Sequence, residues 1–529
     1  MPGWKSAANA VVSAILLVLA FPDFEFWFLA WIGLIPLLWA IDREKESAAR
    51  SLILGWLWGF VFFTGSCWWL TFAPITYAGF PWPIAYFLLL CVTAIVGIFP
   101  GVFGLIYSIL VSRLGNLAVL AVPFVWVFTE LLRYWVTGNN WNAIGYSQAF
   151  NGNSSVVELA AFGGIYLTGF VVLLICVCLY LLLVGRGTPI LRYSAGGLAL
   201  LVMILLWLVD YAGPVAKSPM DAPAFVIAIQ PNVPMSGLTY DKWQQLRRKH
   251  VELSESALNS FGGNPESAIR TPQSTTVIFP ESPMNFMYED DEEFRNFVHA
   301  FAAKHDVQVL FNSAEPDGPN DRYFNSAVLV GPGGKEIGQY DKIYLVPFGE
   351  SVPAPLQSIG PAFVGSFSYG KEYDLLPLGD AKAGVMICFE SHFGELGREY
   401  VRNGADVIIE MTNDGYLGPT PVLRQHLANA VFRAVETNRP LLRVTNVGIT
   451  AYITERGEVL EASEPYTETT RVWSVGKSDG SQTFYVRYGD WFAWLCSLVT
   501  IVMLGFGLSR PPQVPVRPVS ADGLALGDA

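Results

Sequence analysis

The feature that most constrains this chain is a series of long, nearly charge-free apolar stretches, confined to residues 1–212 and 491–508. A hydrocarbon core about 30 Å thick takes about 20 residues of helix at about 1.5 Å each. Stretches of that order lie at 8–21, 24–41, 52–72, 81–111, 117–135, 157–184, 193–211 and 491–508. They predict a multi-span α-helical membrane bundle of about eight transmembrane helices. Stretch 81–111 is long for one span and holds Pro100-Gly101, so it reads as one kinked helix or two short segments. Lys5 ahead of the first stretch also fits a signal peptide, but further spans follow at once, and a retained helix is the better reading. Trp27, Trp39, Trp56, Trp68, Trp69 and Trp82 lie near stretch ends, as an interfacial belt would.

Charge bias gives the expected orientation. With a cytoplasmic N-terminus and alternating spans, Lys5, Arg43, Lys45, Arg50, Arg113, Arg186, Arg192, Arg510 and Arg517 fall on the cytoplasmic side. The opposite short loops hold little beyond Arg133 and Lys217. This positive-inside pattern predicts that residues 213–489 lie outside the cytoplasmic membrane. The expected organisation is a bundle of about seven spans over 1–212, an extracytoplasmic domain over 213–489, a final helix over 490–510 and a disordered cytoplasmic tail over 511–529.

Residues 213–489 alternate β-rich and helical patterns. Strands are expected at 224–229, 275–279, 307–312, 326–330, 383–388, 406–411, 441–445 and 450–454, and helices at 240–260, 291–304, 393–403 and 420–438. Central strands separated by helices predict an α/β sandwich. Gln230-Pro231-Asn232 follows the first strand where a nucleotide site would carry a Gly-rich loop. A net charge of −12 gives nucleic-acid binding no support. His250, His299, His305, His392 and His426 show no zinc spacing with cysteine, so neither metal nor cofactor is expected. Cys67, Cys91, Cys176, Cys178 and Cys496 fall in the apolar stretches, where a thiol is usually packing. Cys388 is alone in the domain, which rules out a disulfide framework there.

Three segments carry chemistry. Cys388 closes the apolar run Val385-Met386-Ile387 and precedes Phe389-Glu390-Ser391, the strand-end position where open α/β sheets place their sites. A lone thiol is as often structural, but a polar turn with Glu390 two residues on fits an activated nucleophile better. Glu281, stiffened by Pro280 and Pro283, is either a general base or a solvent-facing turn residue. Lys342 is either a surface lysine or an ammonium set over a forming oxyanion, with Glu350 in the same loop to orient it or to hold an incoming amine. In the first half, Glu130 and Arg133 stand one turn apart in an apolar stretch. They read either as snorkelling beside Tyr134 or as a functional pair facing the bundle interior.

These segments resemble the apolipoprotein N-acyltransferases, the membrane-bound branch of the nitrilase (carbon-nitrogen hydrolase) superfamily, over essentially the whole chain. Pro280-Glu281 is similar to the family's base motif. Lys342 with Leu345-Val346-Pro347-Phe348-Gly349-Glu350 and Val352-Pro353 is similar to its lysine and loop motif. Ile387-Cys388-Phe389-Glu390 is similar to its nucleophile motif. Thr412-Asn413-Asp414-Gly415-Tyr416, Gln425-His426, Arg433-Ala434, Glu436, Arg439 and Asn446-Val447-Gly448 follow its later segments. The resemblance implies an inserted nitrilase-like αββα domain with Glu281 as base, Lys342 as oxyanion-stabilising lysine and Cys388 as nucleophile. Glu350 would be an added carboxylate and Glu390 a support of the nucleophile loop. The family commonly has His at Tyr344, Tyr at Phe389 and a substrate-lining Trp at Tyr416. Its Trp after the first strand has no match here, unless Trp243 serves through a loop insertion.

The implied reaction is ping-pong. Cys388 would take an acyl chain from the sn-1 ester of a phospholipid such as phosphatidylethanolamine. The resulting thioester would pass the chain to the α-amine of a diacylglyceryl-modified apolipoprotein, the last step of bacterial lipoprotein maturation. The implied setting is the inner membrane, multi-pass, with the catalytic domain periplasmic and the enzyme a monomer. Segment 351–367 would be a mobile arm that touches lipid or gates the pocket. Two other readings are a membrane-anchored amidase using the same triad, and a transporter or receptor whose external domain only binds ligand. The latter requires coupled polar residues in several spans, and few exist beyond Glu130 and Arg133.

Overall fold

The computed structural model describes residues 1–152, 154–184, 187–212, 224–262, 275–352 and 367–512. Of the tail expected over 511–529 and the arm expected over 351–367, residues 513–529 and 353–366 lie outside the described residues.

The first half is helical: α1 (Trp4–Ala20), α2 (Ile35–Glu44), α3 (Ala48–Ser66), α4 (Phe72–Thr76), α5 (Trp82–Val96), α6 (Ile98–Leu114), α7 (Val122–Thr137), α8 (Ser154–Glu158), α9 (Ala160–Val184) and α10 (Pro189–Ala212). Among the described residues, five helical stretches are long and apolar enough to cross a membrane. One of them, Trp82–Thr137, is 56 residues long and takes in α5, α6 and α7. The expected span at 24–41 is corrected. Residues Trp27–Trp31 form a 3₁₀ turn, and α2, started by Pro36, has only 10 residues, about 15 Å of helix. The chain still returns to the side where it began, because Gly3 N and Ser6 Oγ at the start of α1 donate to Glu44 Oε1 at the end of α2 (2.9 and 3.0 Å).

The 81–111 stretch is two helical pieces joined at Gly97. Pro100 has no N–H to offer the carbonyl four residues back, which loosens the helix there. Small residues then let α3 lie directly against this break. A Cβ on Gly55 would stand 2.0 Å from Pro100 O, and one on Gly59 would stand 2.8 Å from Gly97 Cα. Gly55 and Gly59 face Gly97 and Gly101, a paired small-residue seam that packs helices where lipid supplies no hydrophobic drive.

Glu130 and Arg133 are both buried, which rules out snorkelling. Glu130 Oε1 accepts from Trp126 Nε1 (2.9 Å) and Ile144 N (2.8 Å), and Arg133 donates to Trp141 O (2.9 Å) beneath the Phe63 ring. Facing the bundle interior, the two residues pin the loop after α7.

The second half is a sandwich of two sheets. The strands are β1 (Ala224–Gln230), β2 (Thr275–Ile278), β3 (Gln308–Asp317), β4 (Arg322–Val330), β5 (Glu336–Asp341), β6 (Phe367–Ser368), β7 (Leu375–Leu378), β8 (Ala381–Ile387), β9 (Val407–Thr412), β10 (Leu441–Thr445), β11 (Ala451–Ile453), β12 (Val459–Leu460) and β13 (Thr469–Val475). One sheet runs β13-β1-β2-β3-β4-β5, with β6 beside β4, and the other β12-β11-β10-β9-β8-β7. Each has a parallel centre, β1-β2-β3 and β8-β9-β10, with antiparallel flanks. Side chains alternate accordingly. Val226 and Ala228 pack toward the second sheet, while Ile227 and Ile229 pack under α11 (Tyr240–Gly262) and α12 (Glu292–His305).

On the second sheet lie α13 (Gly394–Arg402) and α14 (Val422–Thr437), followed by α15 (Phe484–Tyr488) and α16 (Trp491–Leu508), which returns to the bundle. Every residue of α14 except Arg424 is buried, because one face meets β10 and the other meets α9. Gln425 ties the halves together: its Oε1 accepts from Trp69 Nε1 (3.1 Å) and Trp141 Nε1 (2.9 Å), and its Nε2 donates to Ser66 O (3.0 Å).

Candidate active site

Each expected site residue follows a strand on the same edge of the sandwich. Glu281 follows β2, Lys342 follows β5 and Cys388 follows β8. β8 ends at Ile387, and Cys388 takes a φ of +53°, a left-handed conformation that a residue with a Cβ adopts at a cost of about 1–3 kcal/mol. The turn lifts the half-buried thiol out of the strand to the side of Glu281, close enough for each group to act on the other electrostatically. Asn413 N steadies the other side of Glu281, donating to Oε2 at 3.0 Å.

Lys342 is fully buried, with Nζ 2.9 Å from Glu350 Oε1. Glu350 is itself held by Asn325 Nδ2 (2.7 Å) and Val346 N (2.8 Å). Glu390 joins the two loops that carry Lys342 and Cys388. Its Oε1 accepts from Tyr340 OH (2.8 Å), Ile343 N (2.7 Å) and Tyr344 N (3.0 Å), and its Oε2 accepts from Ile387 N (2.8 Å).

Burial dominates the electrostatics. It pushes the Cys388 thiol well up, Glu281 adds to the rise, and Lys342 opposes it. It lifts the Glu281 carboxyl above the usual carboxylate range, with Lys342 opposing and Glu350 adding. Burial pulls Lys342 down, but Glu350, Glu281, Cys388 and Glu390 outweigh it, so the ammonium is held charged. Burial raises Glu390 to about 7 against Lys342 and its own donors.

The structure thus brings Glu281, Lys342, Glu350 and Cys388 together, with Glu390 behind them. The aromatic candidates spread around the rim. Phe389 stacks on His392 (5.6 Å between centroids) and meets Phe393 edge-on. Tyr344 stacks on Phe393 at 4.0 Å, with its hydroxyl on Glu395. Tyr416, half exposed, meets Tyr77 of the bundle at 6.0 Å, and Tyr77 OH donates to Gly415 O (3.1 Å). Trp243 does not reach the site; it packs beside Phe286 and Phe294 on the outer face of the first sheet. The space after β1 is used by Met235, whose sulfur lies 3.4 Å from Asn413 Nδ2.

Sequence reasoning missed Asn325, Glu410 and Arg443. Asn325 also accepts from Asn312 Nδ2 (2.6 Å), and its backbone O accepts from Lys342 N (2.8 Å), so one β4 residue fixes both members of the Lys342–Glu350 pair. A polar Asn ahead of an apolar strand run was the available signal.

Two mixed sheets stacked between helical layers, with Glu, Lys and Cys at their shared edge, define the class: a carbon-nitrogen hydrolase fold. The carbon-nitrogen hydrolase family matches residues 227–480, and the apolipoprotein N-acyltransferase N-terminal domain matches residues 13–178. Apolipoprotein N-acyltransferase of Geobacter metallireducens is 31% identical over 95% of this chain and 95% of its own length. That of Pasteurella multocida is 27% identical over 94% of each. Among solved structures, a carbon-nitrogen hydrolase from Helicobacter pylori G27 is 18% identical over 50% of this chain and 92% of its own, with a TM-score of 0.38. The chain belongs to the apolipoprotein N-acyltransferase family.

Proposed function

We propose that this inner-membrane acyltransferase moves an acyl chain from a membrane phospholipid to the N-terminal cysteine of apolipoproteins, through a thioester on Cys388. The carrying observation is the convergence of Glu281, Lys342 and Glu350 on one thiol in a chain of this family. Both thiol and base are lifted by burial, which supports proton transfer during attack rather than a standing thiolate. Glu281 takes the thiol proton as Sγ attacks the sn-1 ester carbonyl, and Lys342 Nζ stabilises the oxyanion. The ester C–O bond breaks, and the proton passes from Glu281 to the departing lysophospholipid oxygen. In the second half, the acceptor α-amine loses a proton to Glu281 and attacks the thioester; an amide forms and the thiol is restored. Glu350 orients Lys342, Glu390 holds the loops, and Phe389, Tyr344 and Tyr416 line the approach.

The donor is phosphatidylethanolamine-like, the acceptor is a diacylglyceryl-modified apolipoprotein, and the enzyme acts as a monomer with residues 213–489 on the periplasmic side. Both substrates keep their chains in the bilayer, since each CH₂ held there is worth about 0.8 kcal/mol. A catalytic domain seated on its own membrane bundle suits that geometry. With phospholipid and no acceptor, Cys388 should gain one fatty acyl mass that hydroxylamine or an acceptor amine removes. Cys388→Ala should gain none at this site, while Cys67→Ala and Cys496→Ala should gain it normally. Wild-type transfer by Cys388→Ala would overturn the reading. The amidase alternative predicts ammonia release from small amides without acyl transfer, and the same assays exclude or establish it.

A further inference from the structure

Behind the nucleophile lies a buried ionic cluster that the reaction above does not use. Glu410 on β9 and Arg443 on β10 are register partners, with Arg443 Nη1 2.5 Å from Glu410 Oε2. Asp414 Oδ2 lies 2.8 Å from Arg443 Nη2. His426 of α14 completes the group. Its Nδ1 is 2.7 Å from Asp414 Oδ1, and its Nε2 is 3.1 Å from both Glu410 Oε1 and the main-chain oxygen of Cys388. All four side chains are buried. The bundle closes the cluster from above, where Trp141 meets the His426 ring at 6.0 Å.

We infer that His426 is a positioning residue for the acyl-transfer reaction: by donating to the Cys388 carbonyl it locks the left-handed turn that aims the thiol at Glu281. The inference rests on Cys388 being the nucleophile. Nε2 faces only acceptor oxygens and so carries hydrogen, while Nδ1 stands closer to Asp414 Oδ1 (2.7 Å) than to Arg443 Nη2 (3.3 Å), an arrangement that favours the imidazolium. The charge count agrees: two carboxylates balance Arg443 only if His426 is also positive. Burial and Arg443 pull its pKa down, but Asp414 and Glu410 outweigh them and raise it to about 9. Among the described residues, the other titratable groups close by are Cys388 itself, His392, which burial keeps neutral, and Tyr466 beside Asp414, whose phenol burial pushes up to about 12. The sign follows. The ring is fully protonated below the ordinary histidine range and stays so up to about 9; above that Nδ1 loses its proton to leave an acceptor for Arg443 Nη2, and a net negative charge faces the thiol.

The test is the rate of Cys388 acylation by phospholipid vesicles, measured from pH 6 to 10 on the purified full-length enzyme. Wild type should lose rate with an apparent pKa near 9. His426→Gln, which offers one neutral donor, should acylate at least about tenfold more slowly at pH 7, with KM for phospholipid unchanged and the alkaline limb gone. Should that variant fold poorly, Asp414→Asn serves instead: it removes one carboxylate, so the limb should move to lower pH. A His426→Gln enzyme with the wild-type rate and limb overturns the inference, as does an unmoved limb in Asp414→Asn. An adduct absent from wild-type Cys388 overturns the nucleophile reading, and this inference with it.

Discussion

Lys342 Nζ lies 2.9 Å from Glu350 Oε1 with the ammonium wholly enclosed. Asn325 and Val346 fix the carboxylate from its other sides. A cation held this way needs little reorganisation when an oxyanion forms beside it, and preorganised charge of that kind is commonly the largest catalytic contribution.

Lys342→Met should therefore lower the acylation rate about 10²–10³-fold, with KM for phospholipid little changed. Glu350→Gln should lose both activity and stability, since breaking a buried pair from one side costs about 3–5 kcal/mol. The double variant should regain much of the stability and none of the activity. Wild-type turnover by folded Lys342→Met rejects the oxyanion role.

Glu281 must be ionised to accept a proton, and burial raises its pKa. The acid limb of acylation should therefore lie above the usual glutamate range, with rate rising as pH increases through it. Glu281→Gln should abolish the limb and most of the rate. A limb at an ordinary glutamate pH that persists in Glu281→Gln assigns the base elsewhere.

The strand-end positions of Glu281 and Cys388 were legible because strand patterns and prolines mark them in the chain, and the family likeness supplied their roles. Strands β5, β7 and β13 were not. Glu336–Asp341 is polar for a strand, Leu375–Leu378 is short and holds Pro377, and Thr469–Val475 is half-buried with few apolar residues. Residues 24–41 misled in the opposite way, since apolar content alone cannot tell a spanning helix from a 3₁₀ turn and a ten-residue helix packed inside protein. Glu410 and Arg443 stayed hidden because each is a single charge in a buried strand, and only the register of β9 against β10 makes them a pair.

Gln425 should prove essential to docking of the catalytic domain. Its substitution by Leu leaves Trp69 and Trp141 without their acceptor and Ser66 O without a donor. Each unsatisfied buried group costs about 1–3 kcal/mol, so the melting temperature in detergent should fall by several degrees. An unchanged Tm excludes this residue as a tie.

The charge bias of the short loops predicts a periplasmic catalytic domain. A reporter active only outside the cytoplasm should work when fused at Ser218, which lies outside the described residues. Activity there from a cytoplasm-only reporter reverses the topology.

Glu390 offers the sharpest test of how the site is assembled, because it touches no reacting atom in the proposed mechanism. Its two oxygens take four donors: Tyr340 OH, Ile343 N and Tyr344 N from the lysine loop, and Ile387 N from the nucleophile strand. Glutamine has nearly the same shape but turns one oxygen into an NH₂ donor. Whichever way the amide is set, an N–H then faces an N–H or a hydroxyl, and at least one buried donor is left unpaired. Glu390→Gln should therefore loosen Cys388 relative to Lys342, and acylation should fall about 10²-fold, as expected when reacting groups are displaced by about 1 Å. Glu390→Asp keeps the charge but is one methylene short, so it should recover part of the rate if bridging is the function. Alkylation of Cys388 by iodoacetamide, which needs the thiol but not Lys342, should fall much less than acylation in Glu390→Gln. Equal losses in both reactions would mean that the thiol itself, rather than its register with Lys342, depends on Glu390.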